Sequence, residues 1–329
     1  MMKKLKIKME RNDLALLIML VVLVLAMSVL SERFFRVSNI MQILQQMTEL
    51  GILAIGGTAV IMTAGIDVSV TAVSALSGIV AAFCFRSGLG MLPSVTIALI
   101  TALLCGMING LLIGVCNVNP IVATLGTKSV FSGLALVICS GAPISAFSDA
   151  YIFLGQGRIL AVPTQVYILV LVLIAGYILT NCTQLGRCLS VIGNSPEAAR
   201  YSGIRTQLYT FIAYSFAALY SGIGGIVMSA RVATARSDLG ATYQMQVISA
   251  ILLGGTSFTG GRGKVFGSVL GVLFFAILSN GFNLAGASPF TQQVINGALL
   301  IIVLVVRAAM DRQKEKQMIR QTREKKEKM

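Results

Sequence analysis

LALLIMLVVLVLAMSVL, residues 14–30, runs for seventeen residues without a charge. A bilayer-spanning helix needs ~20 predominantly apolar residues, so this run is a candidate span. It follows Lys3, Lys4, Lys6, Lys8 and Arg11. A basic stretch before an apolar one also opens a secretory signal peptide, but no clear small-residue cleavage site follows. The run reads as a retained span.

The rest of the chain repeats the pattern. Of its 329 residues, 56% are hydrophobic and 12% are charged, about half the charged share of a soluble domain. A soluble fold of this length has no means of hiding so much apolar surface. Further apolar runs lie at about 40–63, 69–85, 93–115, 121–140, 165–180, 208–230, 243–257, 265–284 and 291–307. Pro93, Pro120, Pro163 and Pro289 stand near helix starts, where a missing N–H costs little. The third and eighth runs are short and interrupted by glycine. The expected fold is all-α and polytopic, with about ten transmembrane helices. Residues 14–307 are expected to form the membrane domain, flanked by a segment 1–13 and a charged tail 308–329.

Charge supplies an orientation. With the N-terminus cytoplasmic, ten crossings return the C-terminus to the same side. Cytoplasmic segments then hold 19 Lys and Arg and the opposite segments hold 6. The first group takes in Arg187, Arg200, Arg205, Arg262 and Lys264 besides the two basic ends. The second is Arg33, Arg36, Arg86, Arg158, Arg231 and Arg236. The asymmetry follows the positive-inside rule, so both termini are expected to be cytoplasmic. Lys128 is left inside a span, with a stem long enough to snorkel. The net charge of +14 lies mostly at the two ends, so no nucleic-acid partner is expected.

Other chemistries are set aside on composition. Histidine is absent, which removes most catalytic triads and His-containing metal sites. The six cysteines have no paired spacing, so neither a disulfide frame nor a zinc site is expected. No catalytic residue, metal or cofactor is expected. Gly254-Gly255 and Gly260-Gly261-Arg262-Gly263 lack the Gly-Lys-Ser/Thr ending of a phosphate-binding loop, so they read as a tight turn between spans. Ile55-Gly56-Gly57-Thr58 resembles Leu253-Gly254-Gly255-Thr256, a likeness too short to establish a repeat.

The long polar stretch 181–207 reads NCTQLGRCLSVIGNSPEAARYSGIRTQ. Local rules predict a helix of about two turns within it. Ser195 serves as N-cap and Pro196 as first helical residue. Glu197 suits the positive end of the helix dipole, Ala198, Ala199 and Arg200 favour helix, and Gly203 supplies a left-handed C-terminal cap. Such a helix is too short to stand alone in water, so it must dock on something.

This stretch resembles the cytoplasmic coupling segment of permeases of ribose-type ABC importers. The resemblance lies in Gly193, Asn194, Ala198, Ala199, Arg200, Ser202, Gly203 and Ile204. It extends to Thr63-Ala64-Gly65-Ile66-Asp67-Val68-Ser69-Val70, Asn109-Gly110, Pro120, Thr124-Leu125-Gly126-Thr127, the glycine-rich segment from Leu253 to Gly263, and Asn280-Gly281-Phe282-Asn283-Leu284. It covers about residues 35–307. Four positions depart from the family pattern. Thr71 stands where Gly is common, Gln244 and Gln246 where acids are frequent, and Lys128 where an apolar residue is usual.

The resemblance implies a permease subunit that translocates a sugar or sugar-like solute. An extracytoplasmic binding protein delivers the solute, and a separate ABC ATPase subunit hydrolyses the ATP. A second permease copy or a related permease completes the pathway in the lipid bilayer. Gly193, Asn194, Ser195, Pro196, Glu197, Ala198, Ala199, Arg200 and Gly203 would couple to the ATPase, and Ala199→Asp is expected to uncouple transport. Intramembrane polar groups are pathway candidates: Asn109, Asn280, Asn283, Glu49 and Asp67. Each has a structural alternative. The asparagines can join helices, Glu49 can pair with another helix, and Asp67 can cap the helix that begins near Ser69. The sparse intramembrane charge suits a neutral polyol or sugar. The competing function is an ion-coupled secondary transporter of a small polar solute, which should carry carboxylates in several spans. Here Glu49 and Asp67 alone qualify.

Overall fold

The computed structural model describes residues 11–306. Residues 1–10 of the expected N-terminal segment 1–13 and the whole expected tail 308–329 lie outside the described residues. The fold is helical almost throughout. In chain order it runs α1 (Arg11–Leu30), α2 (Val37–Met62), α3 (Val70–Arg86), α4 (Met91–Gly110) with a π-helical extension (Leu111–Val115), and α5 (Pro120–Cys139). Then come α6 (Asp149–Gln156), the two-residue strands β1 (Arg158–Ile159) and β2 (Val162–Pro163), α7 (Thr164–Tyr177) with a second π-helical extension (Ile178–Cys182), α8 (Gln184–Asn194) and α9 (Pro196–Tyr201). The chain continues through α10 (Thr206–Val232), α11 (Tyr243–Leu253), α12 (Val265–Leu284) and α13 (Pro289–Val306).

Each apolar run of the sequence lies on a helix. Among the described residues, six helices are long and apolar enough to cross a membrane: Met91–Val115, Pro120–Cys139, Thr164–Cys182, Thr206–Val232, Val265–Leu284 and Pro289–Val306. Burial separates a centre from a periphery. The hydrophobic windows of α10 and α12 are 72% buried, whereas those of α7 and α13 are 22% and 11% buried. Helix α2 is buried without a break from Thr48 to Met62. A helix enclosed on every side belongs to the core of a bundle. The peripheral helices turn large apolar side chains outward, among them Leu171, Val137 and Ile301, as lipid-facing helices do.

Helices α4 and α10 meet through glycine. Gly106, Gly110 and Gly114 recur every four residues and face α10. A Cβ at Gly110 would sit 2.8 Å from the backbone of Phe211, and one at Gly114 2.7 Å from the carbonyl of Gln207. Small residues at this spacing let two backbones approach within a bilayer, where packing must replace the hydrophobic drive between helices.

Three expectations change. The run 243–257 is helical only to Leu253, because Gly254 closes α11 and Gly255 adopts φ +98°. Eleven helical residues rise about 16 Å, roughly half the hydrocarbon thickness. The stretch 181–207 holds two helices where one was expected. In α8, Leu185, Cys188, Leu189 and Ile192 turn inward at helical spacing, which packs its apolar face on α2 and α10 through Met62 and Ala213. Between α5 and α7, helix α6 starts at a Ser148 cap and seats Tyr151 against α10, its hydroxyl 2.7 Å from Ser229 Oγ. As for the paired tetrapeptides, Thr58 and Thr256 both reach Ser268, at 2.9 and 3.5 Å. One lies within α2 and the other just beyond α11, so they occupy different structural settings.

Candidate functional site

Long-range contacts gather the sequence motifs at one end of the bundle. There α2 stops at Met62, and residues 63–69 lead into α3 with Ala64 in the left-handed region at φ +62°. Asp67 Oδ1 accepts from the Ser69 amide at 2.7 Å and from the Ser69 hydroxyl at 2.6 Å. Asn109 donates to Ser69 Oγ at 2.8 Å, and Thr127 donates to Asn109 Oδ1 at 2.7 Å. Thr124 Oγ1 accepts from the Val68 amide at 3.3 Å while donating to the Pro120 carbonyl at 2.8 Å. One network therefore ties the α2–α3 break to α4 and α5. Asp67 is held on Ser69, the residue before α3, and caps none of the helical N–H groups of α3, while Asn109 has both ends of its amide engaged.

Helix α9 sits below this break. Ser195 Oγ accepts from the Ala198 amide at 3.2 Å, Pro196 opens the helix, and Gly203 closes it at φ +78° with Ile204 N donating to Ala199 O at 3.0 Å. Arg200 Nε donates to Thr206 Oγ1 at 3.1 Å and links α9 to the start of α10. Pro196, Glu197, Ala198, Arg200, Ser202 and Gly203 are exposed, Asn194 is exposed, and Ser195 is half-buried.

Gly193 and Ala199 do not face outward. Ala199 is fully buried beneath its helix. Gly193 is buried at the end of α8, where a Cβ would meet the carbonyl of Met62 and the amide of Gly261. Gly261 itself donates its amide to Met62 O at 3.0 Å. A Cβ on Gly260 would lie 2.7 Å from the Ala64 amide and 2.9 Å from the Gly193 carbonyl. Three segments, α8's end, the glycine-rich loop and α2's end, thus meet backbone to backbone. Ala199→Asp would bury a carboxylate rather than alter an outer face, which replaces the reason for expecting it to uncouple. The residue that sequence reasoning missed is Tyr201, 93% exposed on the last turn of α9. An aromatic ring standing free on a short presented helix is the kind of group that anchors protein interfaces.

The opposite end of the bundle holds the remaining candidates. Glu49, fully buried in α2, forms a two-point ion pair with Arg231 of α10, and Tyr243 of α11 donates to Glu49 Oε2 at 2.8 Å. Asn280 and Asn39 exchange two amide hydrogen bonds, at 3.0 and 2.8 Å, joining α12 to α2. Asn283 accepts from Gln292 at 2.8 Å. It borders a cavity of about 190 Å³ where α2, α11, α12 and α13 meet. Of the glutamines at this cavity, Gln246 stands out in the sequence only as a departure from the family pattern, and Gln46 and Gln292 are not among the sequence-based candidates. Their signal was available as polar side chains inside apolar runs.

Two departures noted in the sequence prove to be partners. Thr71 Oγ1 donates to Gln244 Oε1 at 2.9 Å, between α3 and α11, and both residues are buried.

Residues 39–304 match the family described as branched-chain amino acid transport system / permease component. The ribose import permease protein of Escherichia coli (strain K12) is 35% identical over 294 residues, 88% of this chain and 92% of that protein. The ribose import permease protein of Bacillus subtilis (strain 168) is 38% identical over 289 residues, 87% of this chain and 90% of the relative. The autoinducer 2 import system permease protein of Escherichia coli O9:H4 (strain HS) is 32% identical over 302 residues, with coverages of 90% and 92%. No solved structure matches the chain.

Proposed function

We infer the function from family membership: this chain belongs to the family of branched-chain amino acid transport system permease components. It is a multi-pass permease of the bacterial inner membrane, of the ribose-type ABC importer class. We propose that its cargo is a sugar or sugar-like solute, in keeping with the names of its ribose and autoinducer 2 relatives. An ABC ATPase, an extracytoplasmic binding protein and a second permease, identical or related, would complete the transporter.

In this reading the chain crosses the membrane ten times with both termini cytoplasmic, and the α9 end faces the cytoplasm. The segment 243–264 is one of the ten crossings, helical for its first half only. Tyr243 reaches Glu49 at one end and Gly261 reaches Met62 at the other, which supports that path.

The observation that carries the coupling role is the pairing of an exposed α9 with a rigid seat. The outer face of α9, with Tyr201, Glu197 and Arg200, is free to enter a groove on the ATPase. Beneath it, the Gly193–Gly261–Met62 junction leads to the end of α2 and so to the Asp67 network. A displacement of α9 then reaches the α2–α3 break without passing through a flexible side chain. Coupling requires the docked ATPase to favour one permease conformation over another. The ion-coupled alternative finds little support. Glu49 is committed to Arg231 and Tyr243, and Asp67 to Ser69.

The test is reconstitution in liposomes with the ATPase and the binding protein. Uptake of radiolabelled D-ribose is expected to require both ATP and the ATPase, and ATP-independent uptake would sink the proposal. Tyr201→Ala should lower ATPase retention during purification while leaving the melting temperature unchanged. Retention and uptake equal to the parent chain's would remove Tyr201 from the docking face.

A further inference from the structure

The cavity at the end opposite α9 is lined by polar, uncharged side chains and by an apolar wall of Leu50, Phe275, Ala276 and Pro289. Gln46 of α2, Gln246 of α11, Ser279 and Asn283 of α12, and Gln292 and Asn296 of α13 surround it, with the apolar ring of Phe275 beside them. Among the described residues no Asp, Glu, Lys or Arg borders it. The carboxylate that comes near, Glu49, has both oxygens engaged by Arg231 and Tyr243, and Tyr243 is the lining residue that stands between.

Two of these amides are under-used. Asn296 is 6% exposed, and its Oδ1 accepts no hydrogen bond among the described residues. The Oε1 of Gln46, also buried, is in the same condition. Leaving a buried acceptor unpaired costs about 1–3 kcal/mol, so a hydroxyl donor entering the cavity would be strongly favoured. Donors are at hand as well. Gln246 donates one hydrogen to Ser279 Oγ at 3.2 Å and keeps the other, whereas Gln292 spends both, on Asn283 Oδ1 at 2.8 Å and on the Ala287 carbonyl at 3.2 Å. An amide nitrogen carries two hydrogens, and the Asn283 amide nitrogen adds its own. Acceptors without partners, spare N–H groups and an aromatic face are what a small polyol uses, hydroxyls against amides and C–H surface against the ring. The volume of about 190 Å³ is about six waters' share of liquid volume, enough for a small solute.

We propose that this cavity is a solute site of the permease, built for a small neutral polyhydroxy molecule such as an aldopentose and unsuited to an amino acid. The proposal deepens the importer reading and rests on it. The family description alone leaves sugar and branched-chain amino acid both open, and the cavity separates them. A zwitterion would set a carboxylate and an ammonium among amides with no counter-charge. Desolvating an unpaired ion costs several kcal/mol, which amide hydrogen bonds only partly offset. A polyol meets no such penalty.

The experiment uses the complete complex with ATPase and binding protein, in nanodiscs for electron cryomicroscopy and in liposomes for uptake. With saturating D-ribose, density is expected in the cavity within hydrogen-bonding distance of Asn296 and Gln46. With L-leucine the cavity should show no solute density. Asn296→Leu and Gln46→Leu should each raise the ribose concentration for half-maximal uptake about tenfold, the loss of about 1.4 kcal/mol of binding. Absence of ribose density, leucine density in its place, or parental uptake in both variants would each overturn the proposal. Failure of the importer reading looks different: the unsubstituted complex would then take up solute without ATP. Should one variant fail to assemble, the density comparison on the unsubstituted complex still decides.

Discussion

The two ends of the bundle are held by different chemistry. At the seat of α9, α8, the glycine-rich loop and α2 touch backbone to backbone through Gly193, Gly261 and the Met62 carbonyl, with the Asn194 side chain against Gly261 and the Asp67 side-chain network beyond the end of α2. At the opposite end, α2 is tied to α10 and α11 by Glu49, Arg231 and Tyr243, and to α12 by the Asn39–Asn280 pair. Backbone contacts have no rotamers to absorb a push. Side-chain bonds can lengthen, swing or exchange partners. The α9 end is therefore built to pass on a displacement, and the far end to hold helices in register while they shift.

The largest effect should come from filling the backbone contact. Gly193→Val puts branched carbon atoms where Met62 O and Gly261 N already sit. The segments must then separate, and overpacking of this kind costs about 1–3 kcal/mol or more. ATP-driven uptake is expected to fall below about a tenth of the parent value, since the seat of α9 moves. The checks are uptake in liposomes and the melting temperature of the purified permease. Full uptake by Gly193→Val would mean that α9 communicates by some other route.

At the far end a comparable loss of stability should be repairable. Glu49→Leu leaves Arg231 without its partner, and breaking a buried pair costs about 3–5 kcal/mol. Arg231 retains 34% side-chain exposure, so solvent offsets part of this and about 2–3 kcal/mol is expected. The double variant Glu49→Leu with Arg231→Met should recover most of the loss, because a matched apolar pair replaces a charged one at little cost. Thermal unfolding of the two single variants and the double one measures this. No second substitution is expected to repair Gly193→Val, and that asymmetry is what separates the two ends.

How much of this was readable in the sequence depends on range. The membrane class followed from apolar runs, and the ends of α9 from Ser195, Pro196 and Gly203, all local chemistry. Helix α8 was readable too, since Leu185, Cys188, Leu189 and Ile192 have helical spacing, but the stretch was weighed for its motif and its polar residues dominated. The inward turn of Ala199 was not readable, because two helical turns give too little periodicity to assign a face. The role of Gly193 was out of reach: a glycine needed for contact with a segment almost seventy residues away looks locally like any turn glycine. The same holds for Asn280, whose partner is 241 residues distant. Intramembrane polarity flagged Glu49, Asp67, Asn109 and Asn280 as possible pathway residues, yet each has protein hydrogen-bond partners. Among the described residues, uncommitted buried polar atoms lie at Gln46, Asn296, Thr164, Gln165 and Tyr214, and the first two border one cavity because the fold brings α2 and α13 together there.

The smallest effect, and the most specific, concerns Thr71 and Gln244. Each departs from the family pattern, and they hydrogen-bond to each other at 2.9 Å between α3 and α11. Thr71 opens the helix that follows the Asp67 network, while Gln244 lies one residue from Tyr243 and hence from the Glu49 cluster. The pair is thus a side-chain link between the two kinds of end. Interhelical hydrogen bonds in membranes average about 0.6 kcal/mol, so the coupling should be small but measurable. Thr71→Val and Gln244→Leu should each destabilise the fold, and the double variant should lose about 0.6 kcal/mol less than the two single losses added together. A double-mutant cycle on melting temperature, run with uptake assays on the same four proteins, tests both halves. If the link only holds α11 in place, uptake will track stability. If it carries motion between the ends, uptake in the single variants will fall further than their stability, and the gap will persist in the double variant, where no buried polar group is left unpaired to explain it.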